Sequence, residues 1–539
     1  MIEKESKKIK DVSCCKDSMT FFRGWTFENY WFSFCLTLIF FGMLCSPFVA
    51  SVARGLIIID LALHLIFWKK RVRDFKQKIF PLLSLSALYL MDIVGILWSN
   101  DWLGAKETLL HEYNFLIIPL FIALYSPLKK NVLSYVILAY LFMCWLGVAV
   151  GSFNYLTNNY TDIRHIVIGT RHIAFAINIA FATCLLMTYT YNVGKYKKII
   201  IPIIIWQISF LVVAQMISGL LTCLAFVFLS VIYLFIKKRN KTNVILFFSL
   251  LVFLCLSFAW VYKEYNNYFS AKESFIGNES LRTKDGNVYT GIDDGFIENG
   301  YLVNNYVCKP EVERQWQERT GYSLYTPIYD SSYLCSDVIY RYLNSKGLHK
   351  DAEGVKQLTE QDIDNICHGI ANVAYTEKYS LRPRLYQTFF EFERFFNANE
   401  TKDMSIVQRI VMSKTAFNII KQHWLIGTGT GAEKTSLQKE LSSTYPVLSD
   451  KQADPHNQFI YIMVGFGVLG LVFFLVFTTY PIIKFRLWQN KYSFSFFVVL
   501  FCYMFSESCL RMMAGEIFFT LFYALLIFNN ENIKKYYLL

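Results

Sequence analysis

Residues 454–470 read DPHNQFIYIMVGFGVLG, a polar turn that leads directly into an apolar segment punctuated by glycines. Upstream, an amphipathic run that carries Arg409 leads into a glycine-rich turn, GTGTG, at 427–431. The apolar segment extends over 456–483, which is long enough for a helix to cross a bilayer. We therefore expect a histidine, an arginine and a glycine turn close to the end of a membrane-spanning helix.

The composition of the whole chain is that of a membrane protein. Of its 539 residues, 54% are hydrophobic and 17% are charged, which is too apolar for an ordinary soluble protein. The net charge of +12 does not indicate nucleic-acid binding. The basic blocks at 69–73 and 237–239 directly follow apolar runs, as the residues that determine membrane topology do. We predict an all-α polytopic membrane protein.

Apolar runs of about 17–25 residues are candidates for membrane-spanning helices. On this criterion we predict about twelve spans. They lie near 31–48, 49–68, 79–98, 114–128, 131–152, 172–194, 199–214, 216–236, 243–263, 456–483, 492–508 and 514–529.

The distribution of lysine and arginine predicts the orientation. With the N-terminus inside the cell, six connections become cytoplasmic and all of them are basic, as the positive-inside rule requires. They are 69–78, 129–130, 195–198, 237–241, 484–491 and the tail with Lys534 and Lys535. We predict that both termini are cytoplasmic. The predicted parts are a leader (1–30), a bundle of about nine spans (31–263), an extracytoplasmic loop domain (264–455), a bundle of about three spans (456–529) and a tail (530–539).

The long polar interval should be folded, because unstructured loops rarely exceed about 15 residues in a compact domain. Helical spacing at 359–374, 385–396 and 405–424 predicts a mostly helical domain, and 278–305 has the composition of turns or short strands. The domain contains Cys308, Cys335 and Cys367. Two of these thiols form a bridge only if the domain lies in an oxidising compartment, and the odd count leaves that open.

His456 is the first candidate for chemistry. Asp454 suits a helix N-cap and Pro455 the first helical position, which predicts that His456 lies in the first turn of the span. The positive end of a helix disfavours imidazolium, so the ring would stay neutral and able to accept a proton. The alternative is a histidine that only marks the membrane interface.

The order of the motifs is more specific than any one of them. Arg409 alone is as consistent with a solvated or ion-paired helix face, and GTGTG alone with a helix stop. Together, Gln408-Arg409, the glycine turn, Pro455-His456-Asn457-Gln458 and the GFGVLG run at 465–470 resemble the O-antigen ligase and polymerase superfamily of bacterial envelope glycosyltransferases. The many-span layout with one large loop before the third-last span is also similar to that superfamily.

The resemblance implies the site and the reaction. Members are C-type membrane glycosyltransferases that transfer a glycan from a polyprenyl-pyrophosphate carrier to a hydroxyl acceptor without a metal. Arginines bind the pyrophosphate and the loop histidine lies near the acceptor. At the entrance of the sixth predicted span, Arg171 best matches a phosphate-binding residue of the family and Arg164 is second. The alternative for Arg171 is an arginine at the headgroup boundary.

One departure from the family concerns a second arginine. Many relatives carry a serine–arginine pair at the start of the span near 216–236, whereas this chain has Ser218 followed by glycine. Either Arg171 and Arg409 suffice, or Arg382 or Arg384 of the loop domain replaces the missing residue. The sequence leaves this choice open.

The resulting prediction is an inverting, metal-independent O-antigen ligase at the periplasmic side of the bacterial inner membrane, without a cofactor. His456 is the base, and Arg171 and Arg409 stabilise the leaving pyrophosphate with free N–H groups of the glycine turn. We expect supporting roles for Asn457, Gly429 and Gly431. Lipid A-core is the expected acceptor; a polymerase or a protein O-oligosaccharyltransferase would use the same donor. A secondary transporter of an anionic solute is the alternative outside this class.

Overall fold

The computed structural model describes residues 24–66, 76–157, 166–167, 169, 171–192, 196–275, 281–328, 334–402 and 404–535. These residues are mostly helical. They form two compact units, one of residues 1–227 with 409–539 and the other of residues 228–408. The predicted division into leader, bundles, loop and tail concerns membrane topology and stays a prediction.

Twenty-two α-helices follow one another along the described chain. They are α1 (Phe27–Cys45), α2 (Pro47–Ile66), α3 (Ile79–Leu85), α4 (Ala87–Gly95), α5 (Trp102–His111), α6 (Asn114–Tyr125), α7 (Lys130–Thr157), α8 (His172–Asn192), α9 (Lys197–Val213), α10 (Ile217–Lys237), α11 (Lys241–Phe269), α12 (Lys309–Thr320), α13 (Cys335–Ser345), α14 (Ala352–Lys356), α15 (Glu360–Cys367), α16 (Arg382–Ala398), α17 (Ser405–Gln422), α18 (Ala432–Thr444), α19 (Gln458–Lys484), α20 (Lys491–Ser506), α21 (Met513–Phe528) and α22 (Asn530–Lys535).

Each of the twelve predicted spans contains helix, but fewer helices are long enough to cross a bilayer. Among the described residues, eight helical segments are sufficiently long and apolar, or nine if the bent pair of α3 with α4 and its 3₁₀ extension is one span. That pair bends by 65°. The apolar helices α20 and α21 are shorter, with 16 residues each. The count of about twelve is therefore not confirmed by this measure, and the orientation also stays a prediction.

The first unit has one large apolar core to which α1, α2, α6–α8 and α19–α21 contribute. Aromatic side chains fill its centre, where the ring of Phe522 lies 4.7 Å from that of Tyr140 and 4.8 Å from that of Phe181. Burial of such large side chains is a major source of stability. This core supports the ends of α19, α20 and α21, between which the candidate site lies.

Helix α19 is broken at Gly467, where φ is +62° and ψ is −162°. The glycine turn at 427–431 packs against this break. The N–H groups of Thr428 and Gly429 donate to the carbonyls of Val464 and Gly465 at 2.9 and 2.8 Å. In return, the N–H group of Val468 donates to the carbonyl of Trp424 at 2.8 Å. The GTGTG and GFGVLG motifs are therefore joined to each other through their backbones.

Among its described residues, the second unit contains two smaller apolar clusters. The larger lies between α12, α13 and α15, and the smaller joins the end of α11 to α16. An antiparallel hairpin pairs Ile297–Glu298 with Tyr301–Leu302, as the turn-rich composition predicted. Cys308, Cys335 and Cys367 are free thiols in the structure.

Candidate active site

His456 lies just before helix α19, not in its first turn. The N-cap is Asn457, whose Oδ1 accepts hydrogen bonds from the N–H groups of Phe459 and Ile460 at 3.0 and 3.1 Å. The prediction of Asp454 as the cap is therefore wrong, and so is the helical position that we assigned to His456. Asp454 instead accepts a hydrogen bond from the N–H group of His456 at 2.8 Å.

The backbone of His456 is held in an unusual conformation. Its φ of +50° lies in the left-handed region, which residues other than glycine seldom adopt and which costs about 1 kcal/mol or more. The bond to Asp454 and the adjacent cap at Asn457 keep it there. This backbone conformation sets the direction in which the Cα–Cβ bond of His456 points.

Glu507, which the sequence analysis did not single out, is the partner of His456. It follows α20, only 3% of its surface is exposed, and its Oε2 lies 3.0 Å from His456 Nδ1. Its Oε1 accepts a hydrogen bond from the guanidinium of Arg409. The three side chains form a continuous chain, Arg409–Glu507–His456.

The electrostatics of this chain favour an ionised Glu507. Burial opposes ionisation, but the hydrogen bonds from His456 and Arg409 and the positive charge of Arg409 outweigh it, and the pKa of the carboxyl is lowered from its usual value. An anionic Glu507 accepts the proton of Nδ1. His456 Nε2 is then the nitrogen that can accept a proton.

The motif residues around His456 hold the segment on which Glu507 lies. Asn457 Nδ2 donates to the carbonyl of Phe505 at 3.1 Å, and Asp454 accepts from the Ser508 hydroxyl at 2.6 Å. Gln458 Oε1 accepts from the N–H group of Leu510 at 2.7 Å. These three polar side chains fix the position of residues 505–510, and with it the carboxylate.

The same segment is also anchored by Arg511. Only 5% of its side chain is exposed, and Nη1 lies 2.5 and 2.6 Å from the two carboxylate oxygens of Glu112 and 3.1 Å from Asp92 Oδ1. Its guanidinium carbon lies 5.1 Å from the centre of the Tyr461 ring. This arginine is neutralised by carboxylates and packed, so it supports the segment and is not available to a ligand.

Arg409 differs from Arg511 in being accessible from solvent. It lies on α17, its side chain is 33% exposed, and one further bond goes from Nη1 to the carbonyl of Ser506 at 2.8 Å. A guanidinium has five N–H donors, so bonds to Ser506 and Glu507 leave several for another anion. Arg409 is therefore both fixed in position and able to bind a ligand.

Arg171 lies at the start of α8 and is exposed. Its Nη1 lies 3.3 Å from the Sδ atom of Met512, a weak acceptor at the end of the segment that carries Glu507. Within the described part of the chain, no ion pair involves Arg171. Arg164 lies outside the described residues. Gly219 stands at the position of the missing family arginine, and the carbonyl of the preceding Ser218 accepts a hydrogen bond from the Thr222 hydroxyl.

Arg382 and Arg384, the two loop arginines proposed as replacements, belong to the second unit. Arg384 donates to Gln387 Oε1 at 3.1 Å and to Ser405 Oγ at 2.8 Å. Arg382 donates to Glu264 Oε2 at 3.0 Å and to Glu377 Oε1 at 2.5 Å. Two carboxylates thus neutralise Arg382, whereas the described partners of Arg384 are uncharged.

Four of the five N–H groups of the glycine turn are already used in backbone hydrogen bonds, contrary to our expectation. Those of Gly427, Thr428, Gly429 and Thr430 donate to the backbone carbonyls of His423, Val464, Gly465 and Gly95. The turn requires glycine because its backbone is packed against other backbone. A Cβ on Gly431, where φ is +84°, would lie 2.1 Å from the backbone nitrogen of Ala105. The glycine turn therefore has a structural role, which is to hold together the backbone segments near the site.

The signal that could have identified Glu507 was present in the sequence. The predicted span at 492–508 contains one carboxylate, and an ionisable residue in a span usually has a function or a partner. What the sequence did not reveal is that this carboxylate meets a histidine 51 residues earlier.

The comparison with known families agrees with these motifs. Residues 370–475 match the family model described as O-antigen ligase. The match includes Arg409, the glycine turn and His456, and it ends before Glu507 and Arg511. No curated protein matches the chain. Residues 370–475 are therefore similar to the O-antigen ligase family, in a chain whose described part has at least eight helical segments long and apolar enough to cross a membrane.

Proposed function

We propose that the protein transfers a glycan from a polyprenyl-pyrophosphate carrier to a hydroxyl group of an acceptor, as an O-antigen ligase. The reaction is a displacement at the anomeric carbon with inversion. It takes place at the outer face of the bacterial cytoplasmic membrane and needs no metal. The acceptor hydroxyl belongs to lipid A-core.

His456 is the general base of this reaction. Its Nε2 takes the proton of the acceptor hydroxyl as the oxygen attacks the anomeric carbon. Glu507, 3.0 Å from Nδ1, keeps the Nδ1 proton in place and stabilises the imidazolium that forms. A carboxylate that is already ionised and almost fully buried does both without rearrangement.

Arg409 and Arg171 bind the leaving group. The donors of Arg409 that neither Glu507 nor Ser506 uses can pair with phosphate oxygens in the planar, bidentate manner of guanidinium groups. Arg171, whose described contact is a thioether, supplies a second cation. Arg164 and Arg384 are the further candidates for the pyrophosphate. Asn457, Gly429 and Gly431 support the site by holding the chain around it.

The observation that carries the proposal is the Arg409–Glu507–His456 chain. A carboxylate between a histidine and an arginine can orient a base and hold a cation for an anionic leaving group in one arrangement. An arginine and histidine that only mark a membrane boundary would not need a shared, buried acid. The family match at 370–475 supports the same chemistry.

Turnover of the purified protein tests the proposal. With a lipid-linked oligosaccharide and an acceptor, it should release polyprenyl pyrophosphate, and His456→Ala should slow release by about 10²- to 10⁴-fold. His368→Ala is the matched control, because His368 is an exposed histidine of the other unit. Undiminished transfer by the His456 variant would exclude it as the base.

The identity of the acceptor is tested by deleting the gene and separating the surface polysaccharide on a gel. Loss of long chains with accumulation of lipid-linked polymer is expected for a ligase. Single repeat units on the core would indicate a polymerase, and loss of glycans from proteins would indicate a protein O-oligosaccharyltransferase. Solute uptake by vesicles without any glycan transfer would replace the proposal with a transporter.

A further inference from the structure

A cavity of about 470 Å³ lies in the first unit beside the glycine turn. Gly427 and Thr428 form part of its wall, and Trp98 and Trp424 contribute aromatic surface. Neither His456 nor Arg409 lines it. A cavity of this size is in the range of small-molecule sites, so it is a separate candidate for ligand binding.

The lining combines aromatic rings with neutral and acidic polar groups. Asn100, Asp101, Gln422 and His423 provide amides, a carboxylate and an imidazole. Trp424, 58% exposed, offers the apolar surface of its indole. A pyranose ring has apolar C–H faces and a rim of hydroxyl groups, and it fits such a lining.

The charge of the lining argues against a phosphate ligand. None of the described residues that line the cavity is a lysine or an arginine. Phosphate and anionic lipid headgroups are normally bound by such cations. The ligand for this cavity is therefore an uncharged, hydroxyl-rich group.

Helix α17 gives the spacing between Arg409 and the cavity. Helix α17 carries Arg409 near its start and ends at Gln422, whose side chain lines the cavity. Thirteen residues at 1.5 Å each span about 20 Å. This distance exceeds one sugar ring and is bridged by a short oligosaccharide.

We propose that this cavity is a distal subsite that binds a sugar several units away from the bond being formed. The inference rests on the proposed glycan transfer. The bound sugar belongs either to the glycan of the donor or to that of the acceptor. The subsite favours long glycans over short ones, since only a long glycan reaches it while its end lies at His456.

The test compares substrates of different length in the full-length protein reconstituted in vesicles. Trp424→Ala should raise KM about ten-fold for a substrate with a long glycan and leave KM for a single repeat unit unchanged. Trp424→Phe, which keeps an aromatic face, should retain most of the preference. Trp488→Ala is the matched control, because Trp488 is similarly exposed and does not line the cavity.

The length of donor and acceptor is varied separately to identify the source of the sugar. A change confined to long donors assigns the subsite to the donor glycan, and a change confined to long acceptors assigns it to the acceptor. Equal changes for long and short substrates, or none, would overturn the inference while leaving the transfer reaction intact.

A binding measurement tests whether the cavity binds a sugar, independently of turnover. Free oligosaccharide released from the carrier should alter the tryptophan fluorescence of the native protein, and Trp424→Ala should abolish the saturable part of this change. Quenching of Trp424 by brominated lipid acyl chains without any effect of the oligosaccharide would show a lipid contact instead. If no variant transfers glycan and the oligosaccharide still binds, the proposed function fails and the sugar site stands.

Discussion

Two regions of the first unit bring distant parts of the chain together in different ways. The glycine turn meets α4, α5 and α19 through backbone atoms, and no side chain fits where its glycines lie. The turn before α19 meets residues 505–510 through side chains of Asp454, His456, Asn457 and Gln458. The first region therefore depends on the absence of side chains, whereas the second depends on their chemical identity. Substitutions should affect stability in one region and activity in the other.

The largest effect is expected from Gly431→Ala. The added Cβ would approach the Ala105 nitrogen to 2.1 Å with a positive φ, so the backbone contact must separate. We expect a loss of about 4 kcal/mol or more of folding stability, visible as loss of monodisperse protein in detergent or a much lower Tm. Gly55→Ala is the control, since a Cβ at that position would have nothing within 4 Å. A Gly431 variant as stable as that control would refute the backbone packing.

Glu507→Gln should reduce activity strongly and stability only slightly, which is the opposite of what we expect for Gly431→Ala. The amide keeps the size of the side chain but no longer stabilises an imidazolium or holds the Nδ1 tautomer, so release of polyprenyl pyrophosphate should fall by about 10²- to 10⁴-fold. The Tm should change much less than in Gly431→Ala. Glu107→Gln, at an exposed position on α5, is the control. Activity within three-fold of the native protein would remove Glu507 from the mechanism.

Asn457 both caps α19 and holds the segment that carries Glu507, so its substitution should have intermediate effects on stability and rate. Asn457→Ala removes a helix cap and the bond to Phe505, and we expect a loss of about 1 kcal/mol with a several-fold lower rate. Asn457→Asp keeps the cap and loses only the amide donor, so it should recover stability but not the rate. Thermal unfolding and turnover of the two variants measure the two contributions. Equal behaviour of both variants would contradict this division.

The smallest effect is a dependence of stability on pH. Because the pKa of Glu507 is lower in the folded protein than in the unfolded chain, its ionised form contributes stability above the unfolded value of about 4.3. This contribution is lost as the pH falls through the folded pKa. The Tm difference between the native protein and Glu507→Gln should therefore shrink as the pH falls below about 4. A difference that is as large at about pH 3 as at about pH 5 would contradict a lowered pKa.

The apolar helices and the motif residues were predictable because both are local properties of the sequence. A run such as 458–484 shows its length and hydrophobicity directly, and the order of Arg409, GTGTG and PHNQ is specific enough to identify a family. The pairing of the two glycine motifs was not predictable, since it is a contact between backbones that any glycine-rich turn could make.

Contacts between distant parts of the chain, which the sequence does not show, also explain the errors at the site. Asp454 and Asn457 are equally good N-caps by residue type, and only the side-chain bonds to residues 505–510 decide between them. Free N–H groups were expected at the glycine turn because a sequence does not show which donors are already used. Glu507 was overlooked because its importance lies in a contact with a residue 51 positions away.

The position of Glu507 has a consequence for how this domain can be exchanged between proteins. The family match ends at residue 475, so a chimera that imports only 370–475 receives the histidine and its arginine without their shared acid. Under the proposed mechanism, such a hybrid is active only when the recipient already provides a carboxylate equivalent to Glu507. The segment that this mechanism requires is therefore longer than the segment that matches the family model.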